Sequence, residues 1–240
     1  MSTAPLATKA STPTEPGKAP DSTERQGLSE GGVHEVCHPL VQLHLTQLRD
    51  KTTSASRFRQ SVRRLATLMA YEVTKDLAVS VTSVETPVAE TTGVDLAQRV
   101  GLIPILRAGL AMVDPVLDLV PTAEVWHLGL YRDEATAKPV PYYDKLPDER
   151  PVDVAIVLDP MLATGGSVMA ALMTLRDWGV KQVKVASLIG SREGVDVVAA
   201  QFPEAQIYVC QIDPELNDQK FIVPGLGDAG DRIFNTLNQG

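Results

Sequence analysis

The sequence has little of what would mark it for a membrane, a nucleic acid or an oxidising compartment. Two cysteines, Cys37 and Cys210, stand far apart in 240 residues. That is no disulfide framework, and both are expected as reduced thiols in a cytoplasmic protein. No apolar run approaches the roughly 18 residues that span a bilayer, and the N-terminus lacks the basic-then-apolar pattern of a secretory signal. Bases are scarce, 22 Lys and Arg against 30 Asp and Glu, for a net charge of −8. This balance argues against a nucleic-acid or anionic-membrane surface. It leaves a phosphate site open, because backbone N–H groups hold phosphate without net positive charge. His34, His38, His44 and His127 make no metal-ligand spacing and are read as structural. A Walker loop and a dinucleotide fingerprint are both missing.

Large apolar side chains are almost absent from residues 1–32, which are rich in Ser, Thr, Pro, Gly, Ala and Glu. Such a segment cannot bury enough surface to offset its ordering entropy, so 1–32 is expected to be a disordered extension before a folded domain at 33–240.

Within 33–240 the pattern changes. Ser54 is placed to cap a helix reaching about Leu77, with Phe58, Val62, Leu65, Met69 and Val73 as its buried stripe. Short apolar runs follow at Leu102–Leu106, Val125–Leu130, Val152–Leu158, Val183–Ile189 and Ile207–Ile212. Near-continuous apolar runs alternating with helical patterns predict a mostly parallel sheet covered on both faces. Pro104 counts against a regular central strand at the first run. Residues 133–151, with Tyr142 and Tyr143, read as a long excursion of the kind that forms lids or subunit contacts. Asp213 and Glu215 are expected as solvated acids of a turn around Pro214.

The most informative stretch runs from Val154 to Ser167. An apolar strand ends in Asp159, a short loop follows, and Thr164-Gly165-Gly166-Ser167 opens a helix with its stripe at Val168, Leu172, Leu175 and Trp178 and its stop at Gly179. Glycines let the backbone approach a ligand, and the free N–H groups and helix dipole face an anion. Thr164 and Ser167 add hydroxyls. Asp159, at the carboxyl end of the strand, can accept hydrogen bonds from sugar hydroxyls.

An apolar strand, an acid and Thr-Gly-Gly-Ser resemble the PRPP (5-phosphoribosyl 1-diphosphate) signature of type I phosphoribosyltransferases, and Asp-Pro-Met-Leu-Ala-Thr-Gly-Gly-Ser is similar to their uracil-specific branch. Many members carry two adjacent acids where this chain has Asp159-Pro160. Ile103-Pro-Ile-Leu-Arg-Ala-Gly109, Tyr131-Arg132 and Phe221-Ile-Val-Pro-Gly-Leu-Gly-Asp-Ala-Gly-Asp231 extend the resemblance, which runs from about Glu35 to Thr236. The family more often has His-Gly-Tyr where Gln219-Lys220-Phe221 stand.

The resemblance implies a central sheet flanked by helices, a small hood made by the N- and C-terminal segments, and a protruding arm. It implies PRPP contacts at Arg107, Arg132, Asp159, Pro160, Met161, Leu162, Ala163, Thr164, Gly165, Gly166, Ser167 and Asp228, with the Ala163–Ser167 loop on the 5′-phosphate and the two arginines on the diphosphate. Uracil contacts fall to Ile222, Gly227, Asp228 and Ala229. Asp159, Arg107, Arg132 and Asp228 are the expected catalytic set. Magnesium is expected to be held mainly by PRPP, with Asp228 as the protein's own contact. The activity implied is uracil plus PRPP to UMP plus diphosphate, in a homodimer or higher homo-oligomer, with a GTP effector as in some relatives. The alternative is a non-catalytic regulatory protein that binds PRPP or a nucleotide on the same fold.

Overall fold

The structure is a computed structural model that describes residues 32–132, 139–144, 146–147 and 150–236, without the side chains of 130–132 and 139–144. The expected extension at 1–32 lies outside these residues except for Gly32. The elements are β1 (Gly32–Glu35), α1 (Pro39–Arg49), α2 (Ala55–Val73), β2 (Val79–Glu85), β3 (Glu90–Leu96), β4 (Val100–Pro104), α3 (Leu110–Leu117), β5 (Glu124–Val125), β6 (Leu128–Arg132), β7 (Pro139–Asp144) and β8 (Val154–Leu158). They continue with β9 (Met161–Leu162), α4 (Gly166–Trp178), β10 (Gln182–Ser187), β11 (Ile189–Ser191), α5 (Arg192–Gln201), β12 (Gln206–Val209), β13 (Ile212–Asp213), β14 (Glu215–Leu216), β15 (Ile222–Val223) and α6 (Ala229–Phe234).

Six strands form one parallel sheet in the order β1-β12-β10-β8-β4-β5. Alternate residues of its strands feed two cores. Leu102, Ile156, Leu158 and Tyr208 pack with α1, α2, α3 and α6, while Ile103, Ala155, Val157 and Ile207 pack with α4 and α5. Burial on both faces is why the strands read as unbroken apolar runs. A small sheet, β13-β11-β9, continues three of these strands beyond their carboxyl ends. It carries the chain over the edge where the functional residues gather.

The predicted stripe of α2 is fully buried at Phe58, Val62, Leu65, Met69 and Val73. Each such side chain contributes about 1.5–3 kcal/mol relative to exposure. Ser54 caps the helix as expected, accepting from Arg57 N. The helix ends at Val73 rather than near Leu77, with Thr74 as its C-cap, whose amide and hydroxyl both donate to Ala70 O, at 3.1 and 2.6 Å. Pro104 sits in a central strand after all, as its last residue. Leu102 O accepts from Trp126 N on the β5 side, and Pro104 shares that side by the two-residue period, where β5 has already stopped at Val125. Its missing N–H therefore leaves no gap in the ladder.

The arm is a two-stranded hairpin, β2 with β3, paired only to each other, in a stretch the sequence reading passed over. Its face carries Val79, Val81, Val94 and Leu96, all exposed. In the excursion at 133–151, β7 folds back antiparallel on β6. The hood is fixed by Arg232, which donates to Leu226 O at 2.8 Å and Asp50 O at 2.6 Å, also donates to Leu48 O, and lies over the Phe58 ring at 4.3 Å. Cys37 and Cys210 are free thiols, and burial pushes Cys210 up to about 12. Among the described residues, no helix is long and apolar enough to cross a membrane.

Candidate active site

β8 is buried along its whole length and ends at Asp159. Its amide still belongs to the sheet, donating to Ala186 O at 3.2 Å. Its carboxylate turns into a cleft of about 320 Å³ at the carboxyl edge, where open α/β sheets bind ligands. The surrounding protein desolvates this carboxyl and pushes it up to about 7, against one opposing hydrogen bond from Met161 N at 3.3 Å. Among the described residues no cation stands against it to reverse the shift.

After Asp159 the chain enters β9, so the expected loop contains a short strand paired to β11. Gly165 then takes a left-handed φ of +78° as N-cap of α4. A Cβ there would stand 2.7 Å from Val198 Cγ2. The N-cap glycine has no side chain to cap α4, and the Thr164 hydroxyl accepts from Gly166 N at 3.5 Å, which leaves the following amides and the dipole directed at whatever fills the cleft. The loop is braced from behind. The Ser191 hydroxyl donates to Ala163 O at 2.5 Å and accepts from Gly194 N at 2.9 Å. A Cβ on Gly194 would come within 2.0 Å of Ala163 O.

The opposite wall begins after β4, where the Leu106–Arg107 peptide is cis. Gly109 lies so close to the end of β8 that a Cβ would stand 2.3 Å from Leu158 O. The Arg107 side chain is 58% exposed, and its Nη2 donates to Asp231 Oδ1 at 3.1 Å. The Thr236 hydroxyl, and after it Arg107, holds the Asp231 carboxyl below the usual carboxylate range.

The third wall is the C-terminal loop. Gly225 has φ +56°, and a Cβ would meet Ile222 O at 2.0 Å, so only glycine fits. It is clamped on both backbone groups. Its amide donates to Asp213 Oδ2 at 2.9 Å, and its carbonyl accepts from Arg49 Nη1 at 3.0 Å. Arg49 also grips both Asp213 oxygens, at 2.9 and 2.7 Å. Asp213 is therefore a buried, paired acid, not the solvated turn acid expected from its place beside Pro214. Its partner lies 164 residues away, beyond the reach of any local pattern. Glu215 is exposed, as expected. Asp228 caps α6, accepting from Asp231 N at 2.8 Å.

Of the residues singled out from sequence, the cleft is lined by Arg107, Asp159, Met161, Ala163, Ser167, Gly227, Asp228 and Ala229. Pro160, Leu162, Thr164, Gly165 and Gly166 form the supporting turn around it. Ile222 is 3% exposed and packs in the first core. The Arg132 side chain lies outside the described residues. Sequence reasoning missed Asp231, Arg49 and the lining residues Gln219, Lys220 and Phe221. Asp231 lay inside the quoted C-terminal motif, where an acid three residues after a capping Asp was the available signal.

This arrangement, a carboxylate beside a helix start and facing an arginine and a glycine-rich loop, suits a sugar phosphate next to a small planar ring. Comparison with known proteins agrees. The family model described as uracil phosphoribosyltransferase matches residues 35–236. A uracil phosphoribosyltransferase of Roseiflexus sp. (strain RS-1) is 56% identical over 199 residues, 83% of this chain and 96% of that one. One from Bacillus thuringiensis (strain Al Hakam) is 50% identical over 207 residues, 86% of this chain and 99% of that one. The solved AQ2163 protein from Aquifex aeolicus superposes with a TM-score of 0.80 at 35% identity, covering 85% of this chain and 98% of that chain. With its folded part matched almost end to end, the chain belongs to the uracil phosphoribosyltransferase family.

Proposed function

We propose that this chain joins uracil to the ribose of PRPP, giving UMP and diphosphate, in pyrimidine salvage. The observation that carries the reading is the meeting, in one cleft, of Asp159 and Ser167 at the start of α4 with Arg107 and the Gly227–Gly230 loop. A phosphate, a ribose and a base are thus each offered a different wall.

In this reading the amides opening α4 and the Ser167 hydroxyl take the 5′-phosphate. Asp159 accepts hydrogen bonds from the ribose hydroxyls. Arg107 and Arg132 attend the diphosphate, whose charge grows as it leaves. Uracil presents an acceptor, a donor and an acceptor along one edge, which backbone groups at Ile222, Gly227 and Ala229 complement, with Asp228 beside them. N1 attacks the anomeric carbon with inversion, through a transition state of oxocarbenium character. The protein then acts by positioning and by charge stabilisation, with no covalent nucleophile.

Magnesium belongs to this reading as part of the substrate, neutralising the diphosphate from its own oxygens. Asp228 is the protein's own acid alongside it. The exposed valines of the β2–β3 hairpin support a homodimer or larger homo-oligomer. Product analysis with purified protein, PRPP, magnesium and uracil is the test. UMP and diphosphate in equal amounts are expected, and PRPP binding without turnover would instead indicate a regulatory protein.

A further inference from the structure

We propose that Lys220 adds a positive charge to the 5′-phosphate site, where the phosphate loop itself offers amides and hydroxyls. The inference rests on the reading of the cleft given above. From Asp159 to Ser167 the loop has no basic residue, and the first in α4 is Arg176, near its far end. Amides and hydroxyls alone would face a dianion there. Of the described residues lining the cleft, Arg107 and Lys220 are the cations. Arg107 is directed at Asp231 on the α6 wall. Lys220 reaches the other way.

Its direction follows from its contact. Lys220 Nζ lies 4.0 Å from Glu193 Oε1, in the first turn of α5. That turn is pressed on the phosphate loop through the Ser191 hydroxyl on Ala163 O at 2.5 Å. The ammonium is thus held on the loop side of the cleft. The holding contact is weak. It is at the limit of an ion pair, and the two side chains are 47% and 56% exposed, a setting in which such pairs add little to stability. A phosphate at the start of α4 offers a stronger partner within the swing of a four-carbon stem.

The backbone points the same way. Lys220 has φ +63°, in a turn closed by Lys220 N to Asn217 O at 2.8 Å and by Phe221 N to Asn217 Oδ1 at 2.9 Å. Glycine would sit there without strain. A lysine held in this conformation destabilises the turn, and such outliers gather where a side chain serves a ligand.

The test uses Lys220→Met, Lys220→Gly and Lys220→Arg in the full chain, titrated with ribose 5-phosphate and separately with inorganic diphosphate, followed by kinetics with PRPP and uracil. Met and Gly should weaken ribose 5-phosphate binding and raise the KM for PRPP about tenfold. Arg should restore both, while diphosphate affinity and the KM for uracil stay put. The Gly variant should also melt at a higher temperature than the parent, separating lost charge from lost folding. Unchanged ribose 5-phosphate affinity in Met and Gly overturns the proposal, as does a loss confined to diphosphate. A parent chain that binds ribose 5-phosphate through Lys220 but makes no UMP overturns the enzymatic reading and leaves this one standing.

Discussion

Arg107 and Asp231 meet across the cleft, guanidinium to carboxylate at 3.1 Å, from positions 124 residues apart. The pair joins the wall after β4 to α6 and hence to the glycine loop that precedes it. Because Arg107 is mostly exposed, the contact adds no more than about 1 kcal/mol to stability. A diphosphate can therefore displace Asp231 at little expense. Arg107→Ala should leave the melting temperature nearly unchanged and lower kcat/KM for PRPP about 100-fold. Thermal melts beside steady-state kinetics check both halves, and a variant that unfolds early would contradict the first.

Asp159 should make the protein respond to pH near neutrality. Burial pushes its carboxyl up to about 7 from an ordinary value of 3.8. The folded state holds this proton more tightly than the unfolded chain, so the contribution to stability is present at low pH and is lost as pH rises from about 4 to about 7. The loss is at most about 4 kcal/mol. Affinity for PRPP should run the opposite way, rising from pH 6 to pH 8 as the acceptor ionises. Asp159→Asn should flatten both profiles and reduce turnover severely, which melts and rates across that range would show.

Asp213 does not line the cleft, yet it holds Gly225 by the amide while Arg49 holds the carbonyl. Asp213→Ala strands a partly buried guanidinium and a buried amide, a loss of about 3–5 kcal/mol. The base-side loop should loosen first. In urea-free buffer at low temperature, where the variant stays folded, the KM for uracil should rise more than the KM for PRPP.

Gly194 packs on the back of the phosphate loop without any side chain to advertise it. Gly194→Ala places a methyl group against Ala163 O and must push α5 away. We expect a loss of about 1–3 kcal/mol in denaturant melts, the usual range for overpacking, together with a raised KM for PRPP. A variant with unchanged PRPP kinetics would show that the brace is dispensable.

Base choice should be steep. In the proposed reading the base meets backbone groups, which cannot rearrange their donors and acceptors to suit another edge. Cytosine lacks the N3 proton that uracil offers, so at least one buried group goes unpaired. Cytosine should be used at least about 1,000-fold less efficiently than uracil, and parallel assays with the two bases decide it.

Much of this molecule was legible in the chain because its signals are local. The stripe of α2 repeats every three to four residues, and the strand, acid and glycines of the phosphate loop are contiguous from Val154 to Ser167. The hairpin from Val79 to Leu96 escaped notice because its strands mix valine with serine, threonine and acid, with no buried face to impose alternation. Ile222 is expected at the base through its backbone groups, and its side chain packs in the core.

What the sequence determined by itself was therefore the parallel sheet, the order of strand, acid and glycines from Val154 to Ser167, and eight of the residues that line the cleft. These depend on periodicities and turn chemistry within about 15 residues. Only the tertiary structure decided which charges meet. Arg107 found Asp231, Arg49 found Asp213, and Lys220 came to rest beside Glu193. Ion pairs of this kind are set by how helices dock on the two faces of the sheet. That docking follows from the burial of apolar surface summed over the whole chain, a quantity no short stretch of residues contains.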